Sequence, residues 1–215
     1  MAVHQCARFS ADPKITHEKA VMRIGKYLLG TRNKGIKFYP DNSRGIECFA
    51  DADFAGSWDK VDADNPENVL SRTGYVIYYC GCPVLWCSKL QTEIALSTAE
   101  AEYIALSQAT RDIIPFVNLL KELKSYMNIS LNDSQMFCKI HEDNTSCITI
   151  AESQKFTPRT KHISLKYHWF RSFLSGERKL LELNHVSTKE QVADIFTKPL
   201  EESLFLYLRK KLNGW

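Results

Sequence analysis

The sequence predicts an α/β fold: a mixed five-stranded sheet flanked by helices, with a helix and a strand appended at the N-terminus. Three observations predict it. The 215 residues are 44% hydrophobic, 11% aromatic and 25% charged, a composition that excludes global disorder. From about residue 45, apolar runs of alternating and helical period follow in the order β-β-β-α-β-α-α-β-α. Three meandering strands and then alternating elements suit a mixed sheet carrying helices. No run of about eighteen apolar residues could span a membrane as a helix. Residues 1–30 carry charges throughout and lack the apolar stretch of a signal peptide.

The elements follow in order. Asp12-Pro13 opens a helix over about 14–29, with Ala20, Val21, Ile24, Tyr27 and Leu28 at helical spacing and Gly30 at its close. Val21, Ile24 and Leu28 are expected to face the body of the protein. Gly35–Tyr39 reads as a short strand ended by Pro40. In the next strand Ile46, Cys48 and Ala50 share one face, and Glu47, Phe49 and Asp51 the other. Residues 56–72 form a long polar loop. Gly74–Cys80 and Pro83–Cys87 are strands joined by a tight turn at Cys80-Gly81-Cys82. A long helix runs from about Thr98 to Lys124, capped by Ser97 or Thr98, and Pro115 should kink it or mark a boundary. Met136–His141 is a buried strand, followed by a short helix over Thr145–Glu152. A basic loop leads to a helix from about Ile163 to Leu174, stopped by Gly176. Leu180–Val186 is the last strand. Ser187 or Thr188 then caps a helix holding Val192 to Ile195, and Leu204–Leu212 is a final amphipathic helix.

The net charge of +3 hides an uneven distribution. Asp41–Leu70 holds eight acids and two bases, a net −6, whereas Lys155–Leu180 holds seven bases and one acid, a net +6. One region suits cations and the other polyanions, although two solvated loops of opposite sign would look the same. Seven cysteines have neither CxxC spacing nor histidines at zinc-finger spacing. They read as reduced, mostly buried thiols of an intracellular protein.

Four acids stand in apolar settings. Asp51 ends one sheet strand and Asp143 follows another, and the carboxyl ends of strands are where open α/β sheets place their sites. Asp also caps helices and starts turns, so position alone does not decide. On the long helix, Ala105, Leu106, Ala109, Ile113, Val117 and Leu120 form the inward stripe. Glu102 falls on that stripe. Glu100 lies about 200° away at about 100° per residue, which makes it the solvated acid. An inward Glu is costly unless it is paired or bound to a cation. Asp194 sits among Val192, Ala193, Ile195 and Phe196 near a helix start, where the helix dipole also favours an acid.

From Ile46 to Leu200 the chain resembles the ribonuclease H domain of Ty1/copia-type retrotransposon polyproteins. The motifs are FADADFAG (49–56), SRTGYVIYY (71–79), LWCSKLQTEIALSTAEAEYIAL (85–106), EDN (142–144), RTKHI (159–163) and ADIFTKPL (193–200), in family order. The upstream stretch HQCARFSADPKITHEKAVMRIGKYLLGT is similar to the tail of the reverse transcriptase region. The implied division is residues 1–40 as that tail, 41–200 as the ribonuclease H-like domain and 201–215 as a C-terminal helix.

The resemblance implies a nuclease that hydrolyses the RNA strand of RNA–DNA hybrids during reverse transcription, using two Mg²⁺ ions with Mn²⁺ as a substitute. Asp51, Glu102, Asp143 and Asp194 match the four catalytic and metal-ligating carboxylates, with Asp53 the runner-up to Asp51 at the bridging position. Ser97, Asn144 and Thr145 stand where sugar contacts are expected. Arg159, Lys161, His162, Lys166 and Arg171 form a basic stretch placed to bind phosphates. The implied partners are the hybrid and the reverse transcriptase portion of the polyprotein, with no membrane. The implied location is intracellular, in cytoplasmic virus-like particles or the nucleus.

Two features depart from the family pattern. The loop before Asp194 (187–191) carries no histidine, and the 56–72 loop is long. The reverse transcriptase palm is missing from the 215 residues, which favours a second reading, a truncated, non-catalytic nucleic-acid-binding remnant. The four intact acids argue against it.

Overall fold

Strand β1 (Ile46–Asp53) runs through the middle of a five-stranded sheet because both of its faces are covered. Ile46, Cys48 and Ala50 enter the main core, and Phe49 packs into a smaller core on the opposite face. The structure, a computed structural model, describes residues 1–58, 66–127, 130–153, 163 and 165–215. With β2 (Arg72–Tyr79), β3 (Cys82–Leu90), β4 (Cys138–Glu142) and β5 (Leu181–His185), the sheet order is β3-β2-β1-β4-β5. β1, β2 and β3 pair antiparallel, while β4 is parallel to β1 and β5 to β4. This is the mixed sheet expected of a ribonuclease H-like domain. The β2–β3 turn has two residues, Cys80 and Gly81, with φ of 49° and 76°. Such a turn matches the twist of a hairpin.

Helix α3 (Thr98–Met127) lies on the sheet across β1 and β2. The stripe Ala105, Leu106, Ala109, Ile113, Val117 and Leu120 is buried as expected. Each buried Leu or Ile contributes roughly 1.5–3 kcal/mol. Ser97 caps the helix, its Oγ accepting from the Glu100 backbone N–H at 3.2 Å. Pro115 neither ends the helix nor divides it. It lies on the solvent face together with Arg111, so the carbonyl that it leaves without a donor faces water. α4 (Thr145–Glu152) packs beside α3. On the other face, α5 (Asp194–Thr197) packs on β2 and β1, and α6 (Glu202–Asn213) buries Leu208 beside Val76, Tyr78 and Val192.

Three expectations about secondary structure are corrected. The α-helix expected over 163–174 is instead a pair of short 3-10 stretches, Leu165–Tyr167 and Trp169–Phe173. Tyr167, Phe170 and Phe173 recur every third residue, a spacing that suits three residues per turn. Gly35–Tyr39 is not a strand: it runs along the end of α6, where Lys37 N–H donates to the Asn213 carbonyl at 3.0 Å. The helix expected from 188 reduces to a 3-10 turn and the four residues of α5.

The N-terminus holds α1 (Ala2–Ala7) and α2 (Ile15–Gly30). α2 buries none of its residues. Val21 and Leu28 are 54% and 60% exposed, and Ile24 is half-buried, so they do not form the expected body-facing stripe. The helix meets α6 through Tyr27, whose ring sits edge-on to Phe205. No helix among the described residues is long and apolar enough to cross a membrane. The cysteines are free thiols, and Cys48, Cys80, Cys82, Cys138 and Cys147 are buried.

Candidate metal centre

Parallel pairing of β1 and β4 brings their carboxyl ends together. Phe49 stands level with His141, so two residues further on Asp51 comes level with Asp143. α3 crosses above this end of the sheet and lowers Glu102 from its buried stripe. Oxygens of Asp51, Glu102 and Asp143 lie within 4.8 Å of one another. Asp51 is 1% exposed and Glu102 4%, while Asp143 is half-buried at the floor of a cleft of about 570 Å³. Glu102 Oε2 is buried without a hydrogen-bond partner among the described residues.

The local electrostatics resist three ionised acids. Burial pushes the Glu102 carboxyl well above the usual range, and Glu142, Asp51 and Asp143 add repulsion. A divalent cation removes that penalty, and the donors are all hard oxygens of the kind that Mg²⁺ or Mn²⁺ takes. The residues therefore fit such an ion. Asp53 also lines the cleft, but it is only half-buried and lies outside the trio, which favours Asp51 over its runner-up.

Asp194 is brought near but held differently. It opens α5 at 1% exposure, and burial, then Asp51, push its pKa up to about 7. Lys198, one helical turn on, sets its Nζ 2.9 Å from Asp194 and 3.6 Å from Asp51. Burial opposes this ammonium, yet Asp51 and Asp194 raise its pKa. The Thr197 hydroxyl donates to Asp51 Oδ2. Gln191 is fully buried in the loop before α5. Its Nε2 donates to the carbonyls of Ala50 at 2.9 Å and His141 at 3.4 Å, tying that loop to β1 and β4.

Gly74 lets α5 come this close. It pairs with Asp51 in the β1–β2 ladder. A Cβ there would stand 2.5 Å from Thr197 Cγ2 and 2.8 Å from Phe196 Cβ.

Glu100 is not solvated, contrary to expectation. It is 6% exposed, and its Oε2 accepts from the Leu96 backbone N–H at 2.8 Å. The first turns of α3 are also covered by His168–Phe170: Tyr103 meets His168 and Phe170, and Trp169 Nε1 donates to Ser107. Glu142 was also missed by sequence reasoning. It is fully buried, accepts from Asn144 N–H, and is pushed well above the carboxylate range by burial and by Asp143 and Asp51. Its strand parity with Cys138 and Ile140 is the signal that could have found it. No comparable signal marks Lys198, Thr197 or Gln191.

The residues expected to touch nucleic acid divide. Asn144 and Thr145 line the cleft, with Asn144 Oδ1 capping α4 at the Cys147 N–H. Ser97 caps α3, and its neighbour Thr98 lines the cleft. Arg159, Lys161 and His162 lie outside the described residues. Lys166 pairs with exposed Glu93. Arg171 turns inward: its Nε donates to Tyr103 Oη at 2.8 Å and its Nη2 to the Ile150 carbonyl at 2.6 Å.

No family model matches the chain. It is 32% identical over 212 residues to the retrovirus-related Pol polyprotein from transposon RE1 of Arabidopsis thaliana, covering 99% of this chain and 13% of that protein. It is 34% identical over 213 residues to the retrovirus-related Pol polyprotein from transposon TNT 1-94 of Nicotiana tabacum, covering 99% and 14%. The chain thus spans only 13–14% of the length of these relatives. Among solved structures it is similar to LC11-RNase H1, isolated from compost by a metagenomic approach. That similarity has a TM-score of 0.49 and 17% identity, and covers 72% of this chain and 93% of the other.

Proposed function

As the chain belongs to the Pol polyproteins of Ty1/copia-type retrotransposons, of which it is a ribonuclease H-like domain, we propose that it is a metal-dependent endonuclease cutting the RNA strand of RNA–DNA hybrids during reverse transcription. The observation that carries this reading is the convergence of Asp51, Glu102 and Asp143 at the carboxyl ends of two parallel strands, under an open cleft. Two Mg²⁺ ions, or Mn²⁺ in their place, supply a more acidic water and charge neutralisation at the leaving 3′-oxygen.

The chain's own residues hold and orient. Asp51 with Glu102 and Asp143 would hold the ion that stabilises the leaving group, and Asp51 with Asp194 the ion that activates water. Thr197 fixes the Asp51 carboxylate through its hydroxyl, and Gln191 fixes the loop that carries Asp194. Asn144 and Thr145, at the cleft beside Asp143, meet the ribose, whose 2′-hydroxyl distinguishes RNA from DNA. Lys166 and the 159–162 stretch contribute phosphate contacts that add affinity without reading sequence. The reverse transcriptase portion of the polyprotein is the neighbour that supplies the hybrid.

The test is to offer the purified chain an end-labelled RNA–DNA hybrid with Mg²⁺, alongside single- and double-stranded DNA. Cutting confined to the RNA strand of the hybrid, and abolished by chelator, is expected. Salt-sensitive binding without cutting, in Mg²⁺ or Mn²⁺, would overturn the reading and leave a nucleic-acid-binding remnant.

A further inference from the structure

Lys198 places a positive charge between two of the four acids. Its Nζ lies 2.9 Å from Asp194 Oδ1 and 3.6 Å from Asp51 Oδ1. The other Asp51 oxygen, Oδ2, takes the Thr197 hydroxyl. Oδ1 is the Asp51 oxygen that shares the ammonium with Asp194 Oδ1. Both carboxylates are 1% exposed, so bulk water does little to screen their mutual repulsion, and Lys198 neutralises it. The lysine side chain itself is 32% exposed and lines the cleft.

We propose that Lys198 is a displaceable counter-ion: its ammonium stands where a cation shared by Asp51 and Asp194 would sit, so the free protein takes up one ion and admits the second only when Lys198 swings out. The proposal rests on the metal-dependent nuclease reading. Mg²⁺ binds carboxylate oxygens at about 2.0–2.1 Å. An ion on Asp51 Oδ1 and Asp194 Oδ1 would overlap the ammonium now contacting both. Of the trio Asp51, Glu102 and Asp143, only Asp51 is ion-paired with Lys198 among the described residues, and the trio offers the first site.

The lysine has somewhere to go. Its flexible four-carbon stem already borders the cleft, and a phosphodiester oxygen there would accept its charge. Entry of the second ion is then coupled to arrival of a substrate phosphate. Lys198 acts as a positioning residue: it holds Asp194 toward Asp51 and times occupancy of the site between them.

The test is calorimetric titration of the full chain with MnCl₂, without nucleic acid, for wild type, Lys198→Met, Lys198→Arg and Asp143→Asn, each checked for folding by circular dichroism. Wild type is expected to bind one ion. Lys198→Met should bind two, or gain about tenfold or more in the second association step, since a neighbouring like charge is removed. Lys198→Arg keeps the charge and should behave as wild type, and Asp143→Asn should lose the first ion. Equal stoichiometry and affinity in wild type and Lys198→Met would overturn the counter-ion role and leave the metal centre standing. Two ions of matching affinity in wild type would overturn it without any variant. No binding by any chain would overturn this proposal and the nuclease reading together.

Discussion

The Thr197 hydroxyl donates to the Asp51 carboxylate, joining residues 146 positions apart. The C-terminal part of the domain is thereby built onto the central strand at the point where the acids meet. The contact depends on a missing side chain, because Gly74 lies opposite Asp51 and directly under Thr197 and Phe196.

Gly74→Ala should therefore lift α5 away from the sheet. The added methyl has no room to relax, since its neighbours include Phe196 Cβ and the Ala193 carbonyl. A loss of about 1–3 kcal/mol is expected from overpacking, with cleavage falling as Asp194 moves. Denaturant unfolding and the hybrid assay measure the two effects. Unchanged stability and rate would show that α5 does not rest on β2 as described.

Stability of the ion-free chain should fall as pH rises. Asp194 is pushed up to about 7 by burial and by Asp51, and burial holds Glu102 and Glu142 well above the usual range. The unfolded acids titrate near about 4. The folded pKa values lie above the unfolded ones, so the unfolded chain releases its protons first. Stability is full below about pH 4 for these groups, and the Asp194 share is lost by about pH 7. In chelator, Tm should be lower at about pH 8 than at about pH 5. Mg²⁺ should raise Tm more at the higher pH, where the carboxylates are free to bind it. A pH-independent Tm in chelator would contradict this.

Glu100 and Glu102 should separate cleanly. Glu100 accepts a backbone hydrogen bond that Gln also accepts, so Glu100→Gln should fold and cut nearly as wild type. Glu102→Gln removes a charge from the acid trio and should lower cleavage by about a hundredfold or more, at least the upper range for outer partners of a metal ligand. Equal rates for the two variants would reject Glu102 as a ligand.

Arg171 should act on stability rather than on substrate. Its bonds to Tyr103 and Ile150 hold 165–173 against α3 and α4. Arg171→Met should cost about 1.5–3 kcal/mol and leave the salt dependence of hybrid binding unchanged. A fall of about one in the slope of log affinity against log salt would make it a phosphate contact after all.

Legibility in the sequence followed the physics of each element. Period-two and helical patterns set out the sheet strands and α3 because these bury one face against a large neighbour. Glu102 stood out as an acid on an apolar stripe. Glu100 did not, because its side chain is held by the Leu96 backbone N–H in the loop before the helix, a contact that no local period reports. Glu142 is legible from its strand parity with Cys138 and Ile140. Periodicity marked an apolar face on α2 but not what lies against it, and Val21 and Leu28 are exposed. Gly35–Tyr39 has strand composition, yet a strand also needs a free sheet edge, and it meets α6 instead. Lys198 reads as one more surface lysine until the fold sets it between two buried acids.

The most direct measurement is the chemistry of the ends produced when wild type and Asp143→Asn act on an RNA–DNA hybrid with Mg²⁺. Water attacking the phosphodiester and expelling the 3′-oxygen predicts 5′-phosphate and 3′-hydroxyl ends, lost in chelator and in the variant. Cyclic 2′,3′-phosphate ends, or cutting that survives chelator or the Asp143→Asn change, would contradict a metal-dependent centre at Asp51, Glu102 and Asp143.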